Sequence, residues 1–313
     1  VPVPKPHQVL VRVLYAGLNF ADSLVIGGSY QEKPELPFTP GAELCGEVVQ
    51  LGDNVHGLMP GQRIMGQVAH GAFAEYAVVD QARLVLVPPA MHSREAAGFY
   101  IPFGTAACAL FHRARLTSDD TVLVLGASGA VGQACAQLAL ATGARVICAA
   151  SSIDRLPQAW RDEVAWVAPL PETLRRDVME ATDSKGVDLV VDMVGGSVGE
   201  QALRCLGFEG RFVVVGFAAG DPPALRANHV LVKNIDVIGC YWGPYQERLP
   251  ALTRDAFDRL ALMLLQGQIQ PLPIVSVELD DVSLALASLV ERRQPGKVVI
   301  RIDAQQETSH EIV

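Results

Sequence analysis

Thr121–Gly143 reads T-V-L-V-L-G-A-S-G-A-V-G-Q-A-C-A-Q-L-A-L-A-T-G, and the rest of the chain is organised around it. Thr121–Leu125 is a short apolar run rich in β-branched residues, suited to a parallel strand buried on both faces. From residue 130 to 142 the small and apolar residues suit a helix packed on that strand, and Gly143 closes it. Three glycines spaced three apart join the two elements. Gly126 serves a tight turn, Gly129 leaves room for a backbone to approach a pyrophosphate, and Gly132 lets helix and strand pack closely. The helix start, Ser128, Gly129, Ala130, Val131 and Gly132, then points N–H groups and the positive end of its dipole at the phosphates. A second apolar strand at Arg145–Ala150 follows in the order such a site requires, so the stretch reads as a dinucleotide-binding turn.

Outward from this motif, the segment from Ser93 to Tyr241 alternates helices and strands. Helices are expected at 93–115, 130–142, 172–181 and 197–206, and strands at 121–125, 145–150, 187–192, 211–216 and 236–241. That order describes a doubly wound α/β domain, the Rossmann arrangement. Before it, short β-type runs (Val9–Tyr15, Glu47–Leu51, Arg63–Gln67, Ala74–Val79) are separated by Gly- and Pro-rich turns, as in an irregular β-barrel with few helices. After it come helices at 251–266 and 281–292, a strand at Ile274–Glu278 and a last strand at Lys297–Ile302. The expected division is a β-rich catalytic domain over 1–95, a dinucleotide-binding domain over 96–243, and a return to the first domain over 244–313. The polar end, Asp303–Val313, reads as a frayed tail.

With 313 residues, half of them hydrophobic, the chain can fill two cores. Its formal net charge of −9 and lack of any basic run exclude nucleic acid and anionic membranes as partners. No charge-free apolar stretch reaches the ~18–20 residues of a spanning helix, and the opening Val-Pro-Val-Pro-Lys-Pro is no signal peptide. The expectation is a cytoplasmic enzyme. Cys45, Cys108, Cys135, Cys148, Cys205 and Cys240 are scattered in apolar contexts without a C-x-x-C pair, so they read as buried free thiols.

Several further motifs carry a resemblance. Asn19-Phe20-Ala21-Asp22, Leu36-Pro37-Phe38-Thr39-Pro40-Gly41, Gly71-Ala72-Phe73-Ala74-Glu75-Tyr76, the glycine turn, Asp192-Met193-Val194-Gly195-Gly196, Gly210-Arg211 and Gly216-Phe217-Ala218 stand in order along nearly the whole chain. Together they resemble the zinc-free quinone oxidoreductases, the zeta-crystallin-like branch of the medium-chain dehydrogenase/reductase superfamily. The resemblance implies a GroES-like β-barrel domain beside the Rossmann domain. By that resemblance, this sequence is expected to begin inside the first domain, without the opening β-hairpin.

The metal-binding positions of the zinc-dependent relatives are changed. By resemblance, Asn19 stands where a first cysteine ligand would be, Gly41-Ala42-Glu43 replaces Gly-His-Glu, and the third position falls near Phe103. A catalytic zinc needs three protein ligands, and a structural zinc needs four close cysteines. His7, His56, His70, His92, His112, His229 and His310 show no ligand spacing. No metal is therefore expected.

Cofactor choice turns on the end of the second strand. An NAD site usually carries an Asp or Glu there, whereas this strand ends Ala149-Ala150-Ser151-Ser152. Ser151 and Ser152 leave room for a 2′-phosphate, and Arg155 is placed to pair with it, which favours NADPH. On a plainer reading Arg155 is a solvated residue whose charge Asp154 partly offsets. The family often has a Tyr after the third strand, where this chain has Val167-Ala168-Pro169-Leu170, and that departure weakens the NADPH case without reversing it.

The resemblance implies further roles. Asn19 and Thr105 would approach the nicotinamide ribose and ring, Gly216, Phe217 and Ala218 would present backbone to the carboxamide, and Lys297 would lie near the cofactor. Gly104-Thr105-Ala106-Ala107 also reads simply as a small-residue run for close helix packing. Tyr15, Tyr30, Tyr100 and Tyr241 are wall residues or proton donors on one reading and packing residues on another; Asp22 and Glu43 orient the cleft between the domains or cap local turns. No general acid is assigned. Gly239-Cys240-Tyr241-Trp242-Gly243 reads as an edge strand that pairs with its copy in a homodimer.

The expected reaction is hydride transfer from NADPH to a quinone without zinc. Reduction of an enone or 2-enoyl thioester is the alternative, and a non-catalytic nucleotide-binding or crystallin-like role is the third class.

Overall fold

The computed structural model describes residues 1–291 and 296–303. Except for Asp303, the expected tail and His310 lie outside the described residues, as does the last residue of the helix expected at 281–292. The chain forms two compact units, one of Val1–Ile101, Gln246–Ala261 and the described residues from Pro271 on, the other of Pro102–Tyr245 and Leu262–Gln270.

The first unit opens with β1 (Gln8–Gly17), α1 (Phe20–Ile26), β2 (Glu43–Leu51), β3 (Arg63–Gln67), β4 (Tyr76–Asp80), β5 (Leu84–Leu86) and α2 (Ser93–Ala96). The chain passes into the second unit within α3 (Tyr100–Ala107), whose first two residues belong to the first unit, and runs through a π-helical turn (Cys108–Arg113), β6 (Thr121–Leu125), α4 (Ala130–Thr142), β7 (Arg145–Ala149), β8 (Ala165–Val167) and α5 (Leu174–Ala181). It continues with β9 (Val187–Asp192), α6 (Gly196–Cys205), β10 (Leu206–Val214), α7 (Ala227–Lys233), β11 (Asp236–Gly239) and α8 (Gly243–Arg248). α9 (Pro250–Leu265), β12 (Ile274–Glu278), α10 (Val282–Val290) and β13 (Lys297–Arg301) complete the described fold.

In the first unit, β1 is the hub. It pairs antiparallel with β2, β4 and β13, and the sheet runs β12-β13-β1-β2-β3-β5. Val9, Val11 and Val13 point into a core with Leu44, Ile64, Val79 and Ile300, and Leu10 and Leu14 between and beyond them are buried too, so this central strand is covered on both faces. β13 thus returns from the far end of the chain to the first strand, carrying Lys297 to the unit's interior.

The second unit is a six-stranded parallel sheet in the order β11-β10-β9-β6-β7-β8. Leu123, Leu125, Ile147, Val190 and Phe212 fill one of its faces with Leu174, Val178 and Leu203 from α5 and α6. The glycine turn leaves β6, the first strand of this sheet in chain order, at its carboxyl end, where doubly wound sheets bind ligands.

Three sequence expectations are corrected. The helix expected over 93–115 is broken into α2, α3 and the π-helical turn. Pro102 has no N–H and its ring would clash with the carbonyl four residues back, so the chain passes 97–99 in a tighter turn and restarts at Tyr100. The strand expected over 211–216 ends at Val214, because the N–H groups of Val215 and Gly216 turn back to the Asp192 carbonyl. The run 239–243 contributes only Gly239 to the edge strand. Cys240 N still donates to Val214 O at 2.9 Å, after which the chain leaves the sheet for α8.

Candidate active site

The turn between β6 and α4 is held from within. Gly126 has φ +75°, a left-handed conformation that an L side chain strains to adopt. The N–H groups of Gly126 and Ala127 both donate to Ala149 O at 3.1 Å, tying the turn to the end of β7, and Gly129 N donates to Gly126 O at 2.9 Å. Gln133 Nε2 reaches back to Ser128 O at 2.9 Å. Gly129 is the N-cap of α4, and a Cβ there would meet nothing nearer than Gly126 O at 3.4 Å, so this side of the turn is open. At Gly132 a Cβ would run into the Gly126 carbonyl oxygen and lie 2.8 Å from Ala127 Cα. One glycine keeps space for a ligand and the other lets helix and strand touch. The open side lies at the start of a thirteen-residue helix whose first N–H groups lack intrahelical acceptors, a cradle that fits a pyrophosphate.

At the end of β7, Ser151 and Arg155 are exposed. Ser152 Oγ accepts from Asp154 N at 3.1 Å and caps the short turn Ile153–Arg155. Asp154 is paired with Arg161 at 3.3 Å, and Arg161 also donates to the Asp154 carbonyl at 3.1 Å. The charge of Asp154 is thus engaged by Arg161, a residue the sequence reading missed.

Asp192, fully buried at the end of β9, organises the facing loops. Its Oδ1 accepts from Val194 N (2.8 Å) and Gly195 N (2.9 Å), and its carbonyl accepts from Val215 N and Gly216 N. Ala218 N donates to Met193 O at 3.0 Å. Gly216 and Ala218 N–H groups are therefore engaged within the loop, leaving Phe217 between them partly exposed. Burial pushes the Asp192 carboxyl above its ordinary range, against the two N–H donors. Thr105 is buried on α3, where a Cβ on its neighbour Gly104 would lie 2.9 Å from the Trp242 ring; the small residues there do serve close packing.

The first unit holds a buried polar cluster. Lys297 Nζ donates to Glu43 Oε2 and to Asn19 Oδ1, each at 2.7 Å, and Lys297 and Glu43 side chains are 2% and 0% exposed. Asn19 Nδ2 donates to Glu43 Oε2 at 3.0 Å, and Ile101 N donates to Glu43 Oε1 at 2.7 Å. Asn19 is also the N-cap of α1, with its N–H donating to Asp22 Oδ2 at 2.7 Å, so Asp22 caps the helix. Of the four tyrosines considered from sequence, Tyr100 is the most buried; its hydroxyl donates to Gln246 Oε1 at 3.2 Å, its ring stacks on Phe257, and burial pushes its pKa well up. Its hydroxyl is satisfied and its ring packed inside the first unit.

Burial pushes Asp22 up to about 7, against N–H donors from Asn19 and Ala42 and the charge of Lys297. Between roughly pH 4 and 7 the folded protein keeps a proton that the unfolded chain has released, so this group's contribution to stability falls as pH rises through that window. In urea unfolding from pH 5 to 8, Asp22→Asn is expected to lose that slope. The difference between variant and wild type should change by up to about 1.4 kcal/mol per pH unit below pH 7 and level off above it. Parallel profiles for the two proteins would show that Asp22 is ionised throughout.

Among the described residues, no group of three or more His, Cys, Asp and Glu side chains could hold a metal ion, and no helix is long and apolar enough to cross a membrane. The family described as "Alcohol dehydrogenase GroES-like domain" matches residues 5–89, and that described as "Zinc-binding dehydrogenase" matches 130–258. The Nematostella vectensis protein named "Quinone oxidoreductase-like protein 2 homolog" is 38% identical over 296 residues, covering 94% of this chain and 81% of that protein. The chain belongs to the zinc-free quinone oxidoreductase family. As a member of this branch of the medium-chain dehydrogenases/reductases it is an oxidoreductase, and the family uses a nicotinamide cofactor. The solved quinone oxidoreductase of Pseudomonas syringae pv. Tomato DC3000 has 26% identity and a TM-score of 0.87, covering 96% of this chain and 93% of that one. A mycobacterial protein complexed with NADPH superimposes with the same TM-score of 0.87 at 25% identity, covering 96% and 93% of the two chains.

Proposed function

We propose that this quinone oxidoreductase family member reduces quinones with NADPH and uses no metal. The observation that carries the reading is the Lys297 ammonium bonded to Asn19 Oδ1 and Glu43 Oε2. By resemblance Asn19 stands at the first metal-ligand position of the zinc-dependent relatives. Here its amide oxygen already holds a cation, which would repel a divalent ion beside it. A quinone is electron-poor, so its reduction needs alignment and exclusion of water more than a Lewis acid.

When bound, NADPH would supply two electrons as a hydride, and a solvent proton would complete the hydroquinone. The first turn of α4, from Ser128 to Gly132, would hold the pyrophosphate. Ser151, Ser152 and Arg155 would receive the 2′-phosphate, with Ser152 acting through its cap on the Arg155 turn. The backbone around Phe217, between Gly216 and Ala218, would orient the carboxamide. Asn19, Thr105 and Lys297 would line the nicotinamide end, and Lys297 would also hold Asn19 in place.

NADPH consumption is to be followed with benzoquinone, a simple enone and an enoyl thioester, alongside NADP⁺ reduction with an alcohol panel. Turnover with the quinone and silence with alcohols is expected. Metal-free alcohol oxidation would overturn the mechanism, and activity confined to the enoyl thioester would replace the acceptor while keeping the cofactor.

Arg155→Ala is expected to weaken NADPH by about ten- to a hundredfold and to leave NADH nearly unchanged, the worth of one well-formed charged contact to phosphate. Fluorescence titration with both nucleotides measures it, and equal losses would assign Arg155 to the fold.

Homodimerisation is part of the same reading. β11 is an edge of the parallel sheet, and Val237 on it and Leu231 and Val232 on α7 are exposed. An apolar edge of this kind pairs readily with its copy. Light scattering at micromolar concentration should give twice the chain mass.

A further inference from the structure

Outside the candidate active site, the second unit brings two cysteines together from distant parts of the chain. Cys108 opens the π-helical turn and Cys240 follows β11; both are buried, and their thiols hydrogen-bond to each other. The segments that carry them are fastened on either side of the pair. Arg113 Nε, at the end of the π-helical turn, donates to Gly239 O at 3.0 Å, next to Cys240. On the other side, Gly104 of α3 leaves no room for a Cβ against the Trp242 ring, and His112 meets Tyr245 edge-on with ring centroids 5.3 Å apart. Thiols close enough to interact, on segments fastened to each other by these contacts, can approach an S–S bond of about 2.05 Å without rebuilding the fold.

The two thiols are also unequal. Cys108 donates to Cys240, which with the charge of Arg113 pulls Cys240 below the usual thiol range against burial, while Cys108 is pushed up. The other four are pushed up chiefly by burial, Cys45, Cys148 and Cys205 to about 12. Thiolate character decides which cysteine reacts, so the attacking sulfur is Cys240 and the resolving one Cys108.

We propose that Cys108 and Cys240 are a redox pair that closes to a reversible disulfide on exposure to a hydroperoxide. The Cys240 thiolate attacks the O–O bond and takes one oxygen as a sulfenic acid, while the other oxygen leaves as water, or as an alcohol from an organic hydroperoxide. The Cys108 sulfur then attacks the Cys240 sulfur, the S–O bond breaks, and a water leaves with the proton of Cys108. Two thiols are oxidised by two electrons and one peroxide is reduced. An external dithiol reverses the change by exchange. The bridge would lock the packing of α3 against the segment running to Trp242. The assignment does not depend on the cofactor or the acceptor.

Reduced, desalted protein is to be treated with hydrogen peroxide, alkylated and mapped by mass spectrometry without reduction. The free-thiol count should fall by two from the six present. A linked Cys108–Cys240 peptide should appear, two hydrogens lighter than its parts, and dithiothreitol should abolish it. In Cys108→Ser, Cys240 should stop at a sulfenic acid trapped by dimedone; Cys135→Ser, which removes the other cysteine close to Cys240, should leave the bridge intact. A Cys135–Cys240 bridge, thiol loss spread over the cysteines, or no loss would each overturn the assignment, and the wild-type map decides it even if a variant fails to fold.

Discussion

Gly129→Val is expected to fold and to lose nucleotide binding by more than about a hundredfold, a cost of roughly 3 kcal/mol. Gly129 has φ −80° and ψ 163°, a conformation open to valine, and a Cβ would find only Gly126 O, at 3.4 Å. The fold therefore has little reason to object. What the valine branches would occupy is the open side of the turn, where a pyrophosphate would meet the first N–H groups of α4. Gly132→Ala is the contrasting variant. Its Cβ would press on the backbone of Gly126 and Ala127, so strand, turn and helix must part, at a cost of about 1–3 kcal/mol of stability. Circular dichroism and NADPH fluorescence titration separate the two outcomes. Unchanged NADPH affinity in Gly129→Val would place the phosphates elsewhere.

Lys297→Met should destabilise the first unit by about 3–5 kcal/mol, the cost of leaving a buried carboxylate without its partner. Glu43 is fully buried, and its remaining donors, Asn19 Nδ2 and Ile101 N, carry no full charge. Lys297→Met combined with Glu43→Gln should regain a large part of the loss, because no uncompensated charge remains. Thermal unfolding measures both, with a fall on the order of 10 °C for the single variant. Additive effects in the double variant would show that the two side chains do not depend on each other. Because β13 delivers Lys297 to the cluster, the same pair helps hold the last strand to the start of the chain's fold.

Much of the second unit was legible because its information is local. A buried parallel strand is a short continuous apolar run between turn residues, and Thr121–Leu125 and Val187–Asp192 begin and end where such runs do. The glycine turn was legible for the same reason, since its conformation, cap and helix start all lie within a few residues. Short elements escaped. β8 has three residues and α1 seven, too few for a period to declare itself, although Asn19 and Asp22 three residues apart were a cap signal for α1. The long helix expected over 93–115 failed first ahead of Pro102, whose effect on the backbone outweighed the apolar pattern around it, and again where the backbone widens into the π-helical turn at Cys108.

By itself, the sequence determined the α/β class, the family and the glycine turn between β6 and α4, because hydrophobic periodicity and turn chemistry act between near neighbours. Only the tertiary structure decided the partnerships: Lys297 with Glu43 and Asn19, Arg161 with Asp154, Asp192 with the loop through Gly216, and Cys108 with Cys240. The separations in the chain of Lys297 from Glu43 and of Cys108 from Cys240 leave no pattern to read, since what joins them is the return of β13 to β1 and the meeting of β11's end with the π-helical turn. Burial then sets the chemistry, because a charge or thiol removed from water is governed by whichever partner the fold supplies.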